Sequence, residues 1–328
     1  LLTIIQFMAG FVVLLFGAEY LVRGAVSLAR RLSVSPMIIG MTIVSYGTTA
    51  PELVVSLQAA VAGRPGIGVG NVIGSNIANI LLILGASAAI FPIVVNPRAL
   101  RRDAAMVGGS AILFTLFALS GMIERWQGAL MVAVLIGFSF FAFHTERRRG
   151  RANDPGDLPE QVAEEFREAP KTVWLSSLSV VGGVASVTIG AKLLVTAAID
   201  TARALGVGEE VIGLTIVAVG TSLPEFATAV VAALRKHPEV AVGNIVGANI
   251  YNLLAIMGLV AVIAPIPVPP QILVFDLWFM LVVTAALLSF LLLRGGLSRT
   301  AGAICLTVFI AYTALEYIGV EKALASIF

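Results

Sequence analysis

Charge and cysteine are what this sequence has least of. Of its 328 residues only 12% are Asp, Glu, Lys or Arg, against roughly 25% in soluble domains. A globular chain of this length would need far more ionised side chains to cover its surface, which excludes an ordinary soluble enzyme. The single Cys305 forms no internal disulfide and stands in an apolar run, so neither a stapled secreted domain nor thiolate metal chemistry is expected. His144 ends an apolar run and His237 falls in a loop; both read as interfacial. A net charge of +2 points to no nucleic acid or other polyanionic partner. What the chain has in abundance is apolar side chains, 59% of the total, and its expected surroundings are a lipid bilayer.

About 20 apolar residues cross a bilayer as a helix. Ten such runs are present, at about 2–22, 36–62, 66–91, 103–120, 125–145, 172–198, 209–234, 239–264, 272–293 and 299–318. They are too long, and alternate too little, for barrel strands. The first run has no basic region before it and no small-residue cleavage site after it, so it reads as a span rather than a signal peptide. Sixteen of the 21 Lys and Arg, among them Arg30, Arg101, Arg147 and Arg294, lie in the loops after odd-numbered runs. By the positive-inside rule those loops are cytoplasmic and both termini lie outside, as in a multi-pass cell-membrane protein. The polar stretch 146–171 reads as a cytoplasmic linker between two halves, 1–145 and 172–328.

Those halves are copies. A shift of 173 positions aligns residues 40–85 with 213–258 without a gap and with 21 identities in 46 positions. Gly17 then falls on Gly190, Arg30 on Arg203 and Asp103 on Asp276. Five spans per copy is an odd number, so the second copy lies upside down relative to the first. The expected fold is all-α, with ten transmembrane helices forming two inverted five-helix repeats. Such repeats place substrate sites near the midplane, where the copies meet.

The 19 acidic residues sort by depth. Seventeen lie in the linker or near span ends, where an ionised group reaches water. Glu52 and Glu225, equivalent under the repeat, lie deep in the second and seventh spans. An acidic group at that depth costs about 2.5–3.5 kcal/mol on insertion scales and normally faces a cavity or a partner. No Lys or Arg stands nearby, since Lys192 lies near the outer end of the sixth span. A bound cation is the expected counter-charge.

The surrounding residues fit a cation. Gly47-Thr48-Thr49-Ala50-Pro51-Glu52 and Gly220-Thr221-Ser222-Leu223-Pro224-Glu225 set Gly and Pro four residues apart. Proline lacks an N–H and clashes with the carbonyl four residues back, so carbonyls around Thr48 and Thr221 should leave helix bonding. Two carboxylates, freed carbonyls and hydroxyls make an all-oxygen site of charge −2. Such a site suits Ca²⁺ better than Mg²⁺, which dehydrates reluctantly. Zn²⁺ or Cu⁺ would call for His or thiolate.

Asn71, Asn76 and Asn79 recur as Asn244, Asn249 and Asn252, while Ser75 becomes Ala248. Asn79 and Asn252, each 27 residues after its Glu, are ligand candidates. Asn71 and Asn244 read as capping or interhelical bonds. Gly70, Gly74, Gly243 and Gly247 form G-x-x-x-G pairs that read as close helix packing. Asp103 and Asp276 are expected to cap the fourth and ninth spans.

At these residues the sequence resembles the cation/calcium antiporter superfamily, whose two repeats carry G-T-S-x-P-E and G-N-x-x-G-S-N-I. Here the motifs read G-T-T-A-P-E with G-N-V-I-G-S-N-I, and G-T-S-L-P-E with G-N-I-V-G-A-N-I. The resemblance covers nearly the whole chain. It implies secondary active exchange of Ca²⁺ for Na⁺ (for H⁺, or with K⁺, in some members), with no cofactor beyond the transported ions. By position, Glu52 and Glu225 would be the Ca²⁺-binding carboxylates, and Thr48 and Thr221 would offer carbonyls. With Thr49, Ser222, Ser75, Asn79 and Asn252 these would line the Na⁺ sites. Two departures matter: Asn252 stands where many sodium-coupled members have Asp, and Ala248 where Ser is frequent. Proton-coupled branches commonly carry Asn at the positions of Thr48 and Thr221, which favours sodium here. Ca²⁺/H⁺ exchange through the same carboxylates stays as the alternative, and a cation channel as a more distant one. An enzyme is not expected, because no His, Cys or Asp pairing lies at depth. Stoichiometry and oligomeric state stay open.

Overall fold

The computed structural model describes residues 2–32, 34–150, 172–205 and 218–318. Most of the linker at 146–171, and positions 209–217 of the seventh span, lie outside the described residues. The first half runs α1 (Leu2–Arg31), α2 (Pro36–Thr48), α3 (Ala50–Val61), α4 (Gly66–Ile90), α5 (Pro97–Ala118) and α6 (Arg125–Gly150). The second runs α7 (Val173–Ala204), α8 (Ala218–Thr221), α9 (Leu223–Leu234), α10 (Pro238–Ile263), α11 (Ile272–Leu293) and α12 (Arg299–Ile318). With α2–α3 and α8–α9 each counted as one broken span, ten helical segments fall on the ten apolar runs. Proline opens several of them, at Pro36, Pro97 and Pro238. Its missing N–H has no intrahelical partner at that position anyway, and its φ is already helical.

Among the described residues, four two-residue strands record the inverted symmetry. β1 (Ile93–Val94) pairs antiparallel with β4 (Gly296–Leu297), and β2 (Met122–Ile123) with β3 (Ile266–Pro267). A shift of 173 carries β1 onto β3 and β2 to within one residue of β4. One link therefore joins the loops after spans three and nine, and its image joins those after spans four and eight. In a ten-span chain these pairs of loops lie on opposite sides. Glycines repeat the relation. A Cβ on Gly85 would stand 2.9 Å from Cys305 Cβ on α12, and one on Gly258 would stand 3.0 Å from the Gly128 carbonyl on α6.

Burial separates an inner layer from a lipid-facing one. In the apolar windows of α10 and α4, 83% and 67% of residues are buried, against 28% in α1 and 22% in α6. Phe16, Phe140, Trp174, Val282 and Ile310 point outward from the peripheral helices.

Helices α1 and α7 interlock antiparallel. Gly10, Gly17 and Gly24 recur at seven-residue spacing on α1, as do Gly183 and Gly190 on α7. Gly190 lies against the Leu14 backbone and Gly183 against Leu21, while Gly17 and Gly24 meet Cβ of Ser186 and Ser179 and the backbone nitrogens of Val187 and Val180. Each glycine lets the backbone of the partner helix come close, the small-residue packing that holds membrane helices together where the hydrophobic effect between them is absent.

The two expected caps are corrected. Pro97 starts α5, and Asn96 caps it by accepting the Arg98 N–H at 3.0 Å. Asp103 therefore lies inside the helix, ion-paired with Arg102 at 2.7 Å. Asp276 lies within α11 and accepts the Tyr312 hydroxyl at 2.9 Å. In both halves the helix begins earlier than the acid, which leaves its side chain to a lateral partner.

Candidate cation site

The site starts from two helix breaks. Pro51 has no amide hydrogen for the carbonyl one turn back, and the chain bends by 43° between α2 and α3. Thr49 between them leaves helical geometry at φ −82°, ψ 3°. Ser222, between α8 and α9, takes nearly the same conformation at φ −88°, ψ 6°. Thr48 and Thr221 thus end one half-helix, and Glu52 and Glu225 fall in the first turn of the next. A helix C-terminus presents carbonyl oxygens without intrahelical donors, and an N-terminus favours a carboxylate. Cation-coordinating carbonyls in transporters come from such half-helix ends.

All nine residues singled out from the sequence are buried: Thr48, Thr49, Glu52, Ser75, Asn79, Thr221, Ser222, Glu225 and Asn252. Glu52 and Glu225 lie near enough for their charges to interact. Ser222 Oγ donates to Glu52 Oε1 at 3.3 Å, a bond between the two halves. Thr49 Oγ1 donates to the Ser45 carbonyl at 2.7 Å, and Thr48 Oγ1 lies 3.3 Å from Asn244 Oδ1. Helix α9, which carries Glu225, packs on segment Asn79–Leu84 of α4. Helix α3, which carries Glu52, packs on segment Tyr251–Ile256 of α10. Both segments widen from α- to π-helix, a local unwinding frequent at functional sites.

The asparagines of α4 and α10 cross-bond. Asn79 Nδ2 donates to Asn249 Oδ1 at 2.9 Å, and Asn252 Nδ2 donates to Asn76 Oδ1 at 3.1 Å. Asn71 Nδ2 reaches Ser56 Oγ at 3.1 Å on α3, an interhelical bond. Among the described carboxylates and amides of α3, α4, α9 and α10, five oxygens remain buried without a hydrogen-bond partner: Glu52 Oε2, both Glu225 oxygens, Asn79 Oδ1 and Asn252 Oδ1. An unpaired buried acceptor costs about 1–3 kcal/mol, more if charged. Hard cations are bound by oxygen sets of this kind. Among the described residues no three His, Cys, Asp or Glu side chains come together, so amide and carbonyl oxygens would complete any coordination shell.

Sequence reasoning missed three contributors. Ser45 Oγ shares its one hydrogen between the Asn244 carbonyl at 2.8 Å and the Gly40 carbonyl at 2.7 Å, tying α2 to α10. That approach needs Gly243 and Gly247, where a side chain would strike the Met37 and Met41 carbonyls. The other two are Asn76 and Asn249. Their recurrence was visible, but not the partner each holds in the opposite repeat.

A family model described as sodium/calcium exchanger protein matches residues 2–144 and 175–318. The sodium/calcium exchanger MaX1 of Methanosarcina acetivorans is 32% identical over 92% of this chain and 95% of its own length. The inner membrane protein YrbG of Escherichia coli is 34% identical over 80% of each chain. Among solved structures, the sodium-calcium exchanger NCX_Mj, soaked with zero Na⁺ and Ca²⁺, superposes with a TM-score of 0.82. It is 28% identical, and the match covers 95% of this chain and 98% of that one.

Proposed function

The chain belongs to the sodium/calcium exchanger protein family, a family of transporters rather than enzymes, and on that premise we propose that it exchanges Ca²⁺ for Na⁺ by alternating access at a site built on Glu52 and Glu225. The observation that carries this reading is the set of five buried acceptors without a partner. They stand among segments 36–61, 66–90, 218–234 and 239–263, which contain no Lys, Arg or His to neutralise them.

One Ca²⁺ takes both carboxylates together with the carbonyls of Thr48 and Thr221. Na⁺ ions use the same carboxylates with the hydroxyls of Thr49, Ser222 and Ser75 and the amide oxygens of Asn79 and Asn252. Either loading neutralises the −2 charge. Two bare carboxylates pass through a dry intermediate only at a cost of several kcal/mol each, so the carrier reorients loaded and the two fluxes are coupled. Helices α1 and α7, packed along each other and largely facing lipid, are the elements that move across the rest. The excess of Lys and Arg after odd-numbered spans supports outward termini and a cytoplasmic 146–171 linker between repeat units 1–145 and 172–328.

The test is Ca²⁺ uptake into proteoliposomes driven by an outward Na⁺ gradient, with pH clamped on both sides. Uptake that follows the Na⁺ gradient and is lost in Glu52→Gln supports the reading. Uptake blind to Na⁺ but driven by a pH gradient would assign the same carboxylates to proton exchange.

A further inference from the structure

We propose that Asn76 and Asn249 are positioning residues that fix which end of the Asn252 and Asn79 amides faces the transported ion. The inference rests on the cation site proposed above and assigns it a specificity device. A carboxamide has an acceptor end and a donor end of nearly the same shape, and only hydrogen bonds decide which way it points. Facing a cation, the oxygen is attractive and the NH₂ repulsive.

The orientation is set from the opposite repeat. Asn79 Nδ2 is held by Asn249 Oδ1 at 2.9 Å, and Asn252 Nδ2 by Asn76 Oδ1 at 3.1 Å. The holders are oriented in turn. Asn249 Nδ2 donates to the Asn76 carbonyl at 3.4 Å, and Asn76 Nδ2 points to Met280 Sδ at 3.7 Å. If either holder flipped, NH₂ would meet NH₂. All four amides are buried, and the two oxygens left without a partner are Asn79 Oδ1 and Asn252 Oδ1, the ends the clasp turns away from the holders. The arrangement obeys the repeat, since a shift of 173 carries Asn76 to Asn249 and Asn79 to Asn252. A three-residue spacing keeps holder and held on one helical face. Each repeat therefore orients the other repeat's ligand. An Asp at 252 would have no N–H to give Asn76, so the neutral amide there and the orientation of Asn76 form a matched pair.

The experiment is Na⁺-driven Ca²⁺ flux against Na⁺ concentration in proteoliposomes of the full chain. Asn249→Leu removes the acceptor at similar volume. It is expected to raise half-saturating Na⁺ by up to about fivefold, the effect of roughly one hydrogen bond at one Na⁺ site, with the maximal rate per folded carrier retained. In an Asn79→Asp background both side-chain ends are oxygens, orientation no longer matters, and Asn249→Leu is expected to add less than about twofold. The mirror pair, Asn76→Leu with and without Asn252→Asp, reads the same device independently of how Asn249→Leu folds. A loss of maximal rate at unchanged half-saturation, or equal losses in both backgrounds, would reduce these residues to packing and overturn the proposal. Wild-type protein without Ca²⁺ flux would instead fail the proposed function.

Discussion

Replacing Glu225 by Gln isolates one charge of the proposed site. Glu225 is fully buried, and neither of its oxygens has a hydrogen-bond partner. The substitution keeps the shape, removes a charge and sets an NH₂ where an acceptor stood. A unit charge about 4 Å from a divalent ion is worth about 8 kcal/mol at an effective dielectric of about 20, before desolvation is subtracted. Breaking a buried charge pair costs about 3–5 kcal/mol after desolvation, and that smaller range decides the expectation. At about 1.4 kcal/mol per decade, Ca²⁺ affinity should fall by a hundredfold or more. Without Ca²⁺ the sign is opposite, because neutralising one of two facing carboxylates removes a repulsion. The purified variant should therefore melt at the same or a higher temperature than wild type in chelator, and should lose the Ca²⁺-induced upward shift. That combination cannot come from misfolding, which lowers the melting temperature in chelator. Titration calorimetry and thermal unfolding in detergent read both quantities. A Glu225→Gln protein that binds Ca²⁺ within about threefold of wild type would refute the reasoning.

Other consequences follow from the same geometry. Ca²⁺ binding requires deprotonated carboxylates, so acidification should weaken uptake at sub-saturating Ca²⁺, and added Ca²⁺ should restore it; a loss that Ca²⁺ does not restore would place the titrating group elsewhere. In Gly183→Ala the new Cβ would stand 2.7 Å from Leu21 Cα in the α1–α7 seam, and overpacking of that kind costs about 1–3 kcal/mol. Gly109→Ala meets nothing within 4 Å and should be neutral or slightly stabilising, so equal melting temperatures for the two variants would contradict the seam. Ala248→Ser restores the hydroxyl found at Ser75 in the other half and should lower the Na⁺ concentration for half-maximal Ca²⁺ efflux, whereas an unchanged Na⁺ dependence would remove position 248 from the ion path.

Some of this was legible in the sequence for physical reasons. A carboxylate inside an apolar run has no cheap explanation, so Glu52 and Glu225 stood out without any structure. Proline acts on its own helix, which made the breaks at Thr49 and Ser222 visible from one local motif. The 173-residue shift is likewise a property of the string, and the pairing of β1 with β4 and β2 with β3 agrees with it. What stayed hidden involves a choice of partner. Asn76 and Asn249 recur visibly, but which amide each holds depends on how the repeats face. The expectation that Asp103 and Asp276 cap helices failed because Asn96 and Pro97 offered a better start to α5, and because Tyr312 lies 36 residues from the acid it serves. The glycines of α1 and α7 recur every seven residues, but they acquire meaning only beside the closely approaching backbone of the partner helix. The widening of Asn79–Leu84 and Tyr251–Ile256 into π-helix has no compositional mark.

The central claim is that one buried pair of glutamates serves both ions in turn. Its most direct test is the Na⁺-gradient-driven uptake of Ca²⁺ into proteoliposomes, run beside a pH gradient of matched driving force, for wild type and for Glu52→Gln. The account predicts rapid uptake by wild type under the Na⁺ gradient, little under the pH gradient, and none by the variant under either. Full Na⁺-driven uptake by Glu52→Gln, or wild-type uptake that ignores Na⁺, would contradict it.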